Sequence, residues 1–441
     1  MADRPPTLCT SCTFMRHVHG RRGQLYVLCR NETIPAKYPR QPVLTCPGYE
    51  SRTTAEGHGG HFSDRTGVPH TGSPDRARTS TASGAGSRGR DRVTAARGVA
   101  GLFETPIVGA PLGGGPSTPA LAAAVSEAGG LGFIAAGYKT AAAVQTELDE
   151  VKTLTSKRIG INLFYPIREQ VDEPAIEAYT DRMRREGERY GVAPGDPMWT
   201  DDEWMAKLEL AVHNHVDVVS FTFGCPSREI VAWLQSAGCR VWSTVTSVAE
   251  AQQATAATVD GLVVQGAEAG GHQGSFHDHD DPPLPLIALL ASIRGATRLP
   301  LIAAGGIATG SDVARALASG AAAAQVGSAL LLATEAGTSA PHREALRAGG
   351  ETRLTRAFTG RRARGIVNRF MLEHDAFAPR AYPEIHYLTA PIRAAARTLG
   401  DADGINLWAG TAYRRARVAS ASELVERWTH DLRARGTDQP V

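Results

Sequence analysis

No apolar run in this chain reaches the roughly 18 residues that a membrane-spanning helix needs. The opening residues, Met1-Ala2-Asp3-Arg4-Pro5-Pro6, also lack the apolar stretch of a secretory leader. Both absences point to a cytoplasmic protein without a membrane partner. Its thiols are then reduced, and clustered cysteines suggest metal before disulfides. Cysteine is scarce: the 441 residues hold 6, and four of these fall before residue 50. A charge excess is missing too, since 47 Lys and Arg face 45 Asp and Glu. That near-balance says little about partners, but it hides an asymmetry. Residues 1–98 carry 15 basic and 7 acidic side chains, and the remainder 32 and 38. A basic head on a mildly acidic body fits two units with different tasks.

What is present divides the chain into three segments. Residues 1–50 hold Cys9, Cys12, Cys29 and Cys46. Cys9-x-x-Cys12 has the spacing of a knuckle that points two thiolates at one metal. Cys29 and Cys46 follow, and a short strand is expected over 26–29. Too few apolar residues occur here for an independent core, so a structural Zn²⁺ held by these four thiolates would staple the module. The basic stretch 16–22 reads as a solvated face rather than a nucleic-acid surface, and the module's protein partner is not legible. Residues 51–98 are rich in Gly, Ser, Thr, Arg and His. Such a composition cannot bury enough apolar surface to offset its ordering entropy, and it predicts a disordered linker.

From about residue 99 the pattern changes. Short apolar runs alternate with Ala-rich helical stretches, the mark of βαβ units. Strands are expected at 106–112, 131–136, 159–164, 216–223, 240–245, 261–265, 300–304 and 323–327. Helices are expected between them, for example at 119–128, 141–153, 247–256 and 310–319, with Thr140 capping the second. Eight strands with crossover helices predict a closed (β/α)₈ TIM barrel over 99–441. Residues 171–213 form a helical insertion, and residues after Leu330 extend the last helix and add a C-terminal elaboration.

In a barrel, chemistry belongs at the C-terminal strand ends, and the unusual residues fall there. The seventh strand ends in Gly305-Gly306 and the eighth in Gly327-Ser328-Ala329-Leu330. Glycines let the backbone approach a ligand, and a following helix N-terminus offers free N–H groups. Together they suggest a phosphate site. The sixth strand ends in Gln265, then Gly270-Gly271-His272-Gln273-Gly274. The Gln265 carboxamide offers a donor and an acceptor to a heteroaromatic ring edge. Gly270 and Gly271 allow close approach, and His272, on an open and flexible loop, is an acid/base candidate. Glu268 reads as an anchor that hydrogen-bonds the loop. Cys225 reads as lining the pocket and Cys239 as buried packing.

These pieces, in order, resemble the nitronate monooxygenase family. The resemblance runs from about Phe103 to Trp428. It is carried by Pro106–Leu112, Ala128–Gly132, Asn162-Leu163-Phe164, the Gln265–Gly274 loop, Ala303–Ile307, Gly327–Leu330 and Leu407–Gly410. One departure is Leu112, where the family commonly has Met. The resemblance implies an FMN oxidoreductase. It implies flavin contacts at Asn162, Gln265 and Gly270, phosphate contacts at Gly306 and Gly327 to Leu330, and His272 as catalytic base. It implies oxidation of an alkyl nitronate by O₂ to a carbonyl compound and nitrite. Two alternatives stay open. One is an FMN-dependent NAD(P)H enoyl or quinone reductase on the same scaffold. The other is a non-catalytic flavin-binding sensor module.

Overall fold

Residues 15–19, 25–29 and 98–436 are described by the computed structural model. The expected linker up to residue 97, and Cys9, Cys12 and Cys46 of the expected metal centre, therefore lie outside the described residues. The chain divides into two units, one ending at Ser87 and one beginning at Arg88. In the first, β1 (Met15–His19) and β2 (Leu25–Cys29) pair antiparallel, with Met15 opposite Cys29. The strand expected at 26–29 is present.

The second unit is a (β/α)₈ barrel. Its strands in chain order are β3 (Ile107–Gly109), β4 (Gly132–Ala135), β5 (Ile159–Phe164), β6 (Val218–Thr222), β7 (Arg240–Val245) and β8 (Gly261–Gln265). A two-residue strand outside the barrel, β9 (Gly271–His272), comes next. The barrel resumes with β10 (Leu301–Ala304) and ends with β11 (Ala323–Val326). The eight barrel strands all pair parallel, in the order β3-β11-β10-β8-β7-β6-β5-β4. A parallel bridge between Val108 and Leu131 joins the two end strands and closes the barrel. The Gly109 amide donates to the Leu131 carbonyl at 2.9 Å, and the Leu131 amide to the Ile107 carbonyl at 3.0 Å. Strands covered on both faces read as near-continuous apolar runs, which is why all eight were legible.

Val108, Phe133, Val218, Trp242, Val263 and Ile302 point inward and share one core. Leu102 joins it from below, and the Trp242 indole donates to the Gly98 carbonyl at 3.3 Å. Residues 98–103 thus plug the N-terminal mouth. That seal leaves the C-terminal mouth as the open end.

The helices begin with α1 (Pro119–Glu127), capped by Thr118, and α2 (Ala141–Leu154), capped by Thr140 through the Ala143 amide. The insertion before β6 holds α3 (Glu173–Glu188) and α4 (Trp204–His213). Then come α5 (Arg228–Ser236), α6 (Val248–Ala256), α7 (Leu286–Ala296) and α8 (Gly310–Ala318).

After β11 the structure departs from expectation. Residues after Leu330 do not extend a last helix; Ser328–Leu330 is a single 3₁₀ turn. The chain then leaves the barrel to build α9 (Ala340–Ala348), a hairpin of β12 (Thr352–Thr355) and β13 (Ala363–Ile366), α10 (Arg369–His374) and α11 (Glu384–Thr398). It returns as α12 (Ala421–Gly436), which packs against α8 and α1. This is the position of the eighth barrel helix. About ninety residues thus stand between the last strand and its helix.

The excursion has its own core. Phe358, Phe370, Ile385, Leu388 and Ile392 bury themselves against Ile176, Tyr179 and Met183 of α3. Two insertions that lie far apart in sequence therefore pack as one body over the open mouth. Among the described residues no helix is long and apolar enough to cross a membrane.

Candidate active site

The C-terminal strand ends surround a cavity of about 400 Å³. Asn162, Gln265, Gly270, Gly271, His272, Gly305, Gly306, Gly327, Ser328 and Ala329 all line it. The structure thus gathers residues that span more than 160 positions of sequence. Leu330 is the exception. It is not among the lining residues, is almost fully buried, and its amide already donates to the Gly327 carbonyl. The 3₁₀ turn rotates its side chain into the core beside Gly109.

One end of the cavity is a cradle of backbone donors. Gly305 and Gly306 have φ of 113° and 70°, a region that favours glycine. This turn directs the Gly306 and Ile307 amides away from any acceptor among the described residues, and the Ser328 and Ala329 amides are likewise free. The next two amides, of Ala308 and Thr309, are satisfied by Asp312 at 3.1 Å in a capping box. Four free N–H groups facing one cavity end are what a phosphate group would satisfy.

The centre of the cavity is polar but ordered. The Asn162 amide donates to Ser220 Oγ at 2.8 Å and to Thr222 Oγ1 at 3.1 Å. Gln265 accepts from the Gly274 amide at 2.7 Å and donates to the His272 carbonyl at 3.1 Å. The carboxamide therefore closes the loop that carries His272, and keeps one N–H and one lone pair for a ring edge. Glu268 is the anchor expected, accepting from the Leu286 amide at 3.0 Å.

His272 does not sit on an open loop. It belongs to β9, which pairs antiparallel with β13 so that His272 faces Ala363. The loop beyond is stitched to the excursion as well. Asp278 pairs with Arg356 at 2.7 Å, and Arg362 donates to the His279 and Asp281 carbonyls. Phe223, Tyr382 and Trp408 surround the imidazole edge-on, with ring centroids 5.6, 5.7 and 5.6 Å away. Its Nε2 lies 2.9 Å from Thr359 Oγ1. Burial first, then the charges of Arg361 and Arg393, push His272 down to about 3. The imidazole is neutral at neutral pH and able to take a proton.

Both cations are unusual. Arg361 is buried, sits 4.4 Å over the Phe223 ring and donates to the Ser275 carbonyl. Arg393 donates to Thr389, Asn406 and His386. Neither has a carboxylate partner within ion-pair distance among the described residues. Burial pushes Arg393 down to about 10, which leaves it charged at neutral pH. An uncompensated buried cation costs several kcal/mol, and an anion in the cavity would offset that cost.

Sequence reasoning did not name every residue that lines the cavity. It missed Tyr138, Thr359, His386 and Arg393 as individuals. His386 and Arg393 are seven residues apart on α11, a same-face spacing that was available as a signal. Tyr138 and Phe223 adopt φ of 64° and 75°, strain that no sequence pattern announces. Cys225, expected to line the pocket, is not among the lining residues. It is buried beside Pro226, and burial pushes its thiol up to about 12. Cys239 is buried packing, as expected.

The nitronate monooxygenase family model matches residues 99–431. A nitronate monooxygenase of Paraburkholderia phytofirmans is 38% identical over 343 residues, covering 75% of this chain and 93% of that one. The chain belongs to the nitronate monooxygenase family. A second relative, the nitronate monooxygenase of Pseudomonas aeruginosa, is 36% identical and covers 78% of this chain and 99% of its own. Among solved structures, nitroalkane oxidase from Streptomyces ansochromogenes superposes with a TM-score of 0.75 at 46% identity. It covers 77% of this chain and 99% of its own. As a nitronate monooxygenase family member, the chain is an oxidoreductase, and its matched region contains the whole barrel and the cavity.

Proposed function

We propose that the chain binds FMN and oxidises alkyl nitronates with O₂ to a carbonyl compound and nitrite. The observation that carries this reading is one cavity lined by the His272 imidazole, by Arg393, a buried cation without a carboxylate partner among the described residues, and by a cradle of free amides. The cradle of Gly306, Ile307, Ser328 and Ala329 fits the FMN phosphate. Gln265 and Asn162, with Gly270 and Gly271, fit its ring. When bound, FMN supplies the electron transfer and the reaction with oxygen.

The chain's own residues do the rest. Arg393, which lines the cavity, stabilises negative charge on the nitro oxygens. His272 accepts the α-proton when the substrate arrives as a neutral nitroalkane. Proton transfer raises positive charge on a site that resists it, and the nitronate formed alongside offsets that charge. Phe223, Tyr382 and Trp408 hold the imidazole and keep water from it.

The test is to add FMN to purified protein and assay nitrite release from propionate 3-nitronate and nitroethane, with and without NADH. Yellow protein that releases nitrite without NADH supports the reading. Rapid bleaching of the flavin by NAD(P)H with no nitrite identifies a reductase instead. Bound flavin without any turnover identifies a sensor.

The first unit is proposed to hold Zn²⁺ through Cys9, Cys12, Cys29 and Cys46. Metal analysis of the full-length chain checks this, with one zinc per chain expected.

A further inference from the structure

His272 has two ring nitrogens with different surroundings. Nε2 lies 2.9 Å from the Thr359 hydroxyl oxygen. Nδ1 has no hydrogen-bond partner among the described residues, and it is not among the buried unpartnered atoms, so it is open to the cavity that His272 lines. Which nitrogen carries the proton depends on what the Thr359 hydroxyl does with its own hydrogen.

The Arg361 carbonyl decides that. Thr359 Oγ1 donates to it at 3.2 Å. Arg361 is almost fully buried, and no other donor to its carbonyl occurs among the described residues. If the hydroxyl turned its hydrogen to His272, a buried carbonyl would be stranded, which native structures avoid. The hydroxyl hydrogen therefore stays on the Arg361 carbonyl. The oxygen's lone pair then faces Nε2 and can only accept.

We infer that Thr359 is a positioning residue that fixes His272 as the Nε2–H tautomer and leaves the Nδ1 lone pair as the proton acceptor. The inference rests on His272 acting as base. In the step it serves, the α-carbon–hydrogen bond of a neutral nitroalkane breaks and an Nδ1–H bond forms. The carbon's electron pair passes onto the nitro oxygens. The imidazolium keeps its Nε2–H bond to Thr359, and that bond strengthens as positive charge appears. The aromatic cage keeps the ring from rotating out of this arrangement.

The experiment is ¹⁵N NMR of the imidazoles in the flavin-loaded protein at neutral pH, with His272→Gln to assign the His272 resonances. A protonated Nε2 and a bare Nδ1 are expected. A protonated Nδ1 in the wild-type protein overturns the inference whatever the enzyme's activity, and it needs no variant that might misfold.

Kinetics give a second test. Thr359→Val lowers kcat/KM on nitroethane about 10- to 100-fold, the loss expected from one hydrogen bond to a forming cation. It affects preformed ethyl nitronate less, and Thr359→Ser restores most of the nitroethane rate. Equal loss on both substrates, or no rescue by serine, counts against the assignment.

Discussion

Tyr138 stacks on His386 with ring centroids 3.6 Å apart and planes 4° from parallel. The tyrosine follows β4 of the barrel, and the histidine lies on α11 of the excursion. One contact thus ties the two bodies together at the wall of the cavity. Tyr138 also rests edge-on against Phe164, and its amide donates to Asp202, whose carboxylate pairs with the buried Lys207. Replacing Tyr138 by alanine removes a stacked pair worth about 1 kcal/mol beyond its buried area. The expected outcome is a lower melting temperature and a raised KM for nitronate, with flavin still bound. Thermal denaturation and steady-state kinetics check it.

Arg393 lines the cavity without a carboxylate partner among the described residues. Its charge opposes folding and favours an anionic ligand. Arg393→Met is expected to raise KM for ethyl nitronate about tenfold or more, and to change KM for neutral nitroethane less. The melting temperature stays level or rises, because an unpaired buried charge has gone. A fall in both stability and nitroethane binding would contradict the electrostatic account.

The glycine turn makes the phosphate cradle. At Gly306 an added Cβ would lie 3.1 Å from the Cβ of Glu268, on a backbone with φ of 70°. An alanine there carries a left-handed penalty of about 1–2 kcal/mol, relieved only by turning the free amides away. Gly306→Ala is expected to weaken FMN binding about 5- to 30-fold, read by quenching of flavin fluorescence on titration. Unchanged affinity would place the phosphate elsewhere.

The barrel was legible because its strands are buried on both faces. Runs such as 159–164, 240–245 and 261–265 are largely buried along their whole length, with apolar residues on both faces, and the structure reproduces those three bounds. The glycine-rich strand ends were legible because glycines clustered just past a strand serve chiefly to bring backbone close to a ligand. The eighth helix was not. The chain inserts a body between Leu330 and Ala421, and periodicity cannot tell which amphipathic helix returns to the barrel. His272 was legible by its setting, but its strand was not, since β9 exists only through its pairing with Ala363 and Arg364. Thr359 acts through contacts made across the fold, and local sequence carries no mark of it; Arg393 shares a helix face with His386, but that spacing alone does not say that the face lines a cavity.

Acid should destabilise the protein through its buried histidines. His342 is buried and donates to the Trp408 backbone. Burial and the neighbouring arginines push it down to about 4. The unfolded chain binds a proton there near pH 6.5 and the native chain only near 4, so between these values the unfolded state holds more protons. Stability is full above about 6.5 and falls as pH drops toward 4, by about 3 kcal/mol for this one side chain. His272 and His386 are shifted in the same direction. His342→Gln is expected to flatten the fall of melting temperature between pH 7 and 4.

The most direct measurement compares His272→Ala with the wild-type holoenzyme on neutral nitroethane. The variant should retain its yellow FMN and lose nitroethane turnover by about 100-fold or more, the contribution of a positioned base. A variant that releases nitrite from nitroethane at the wild-type rate would contradict the account.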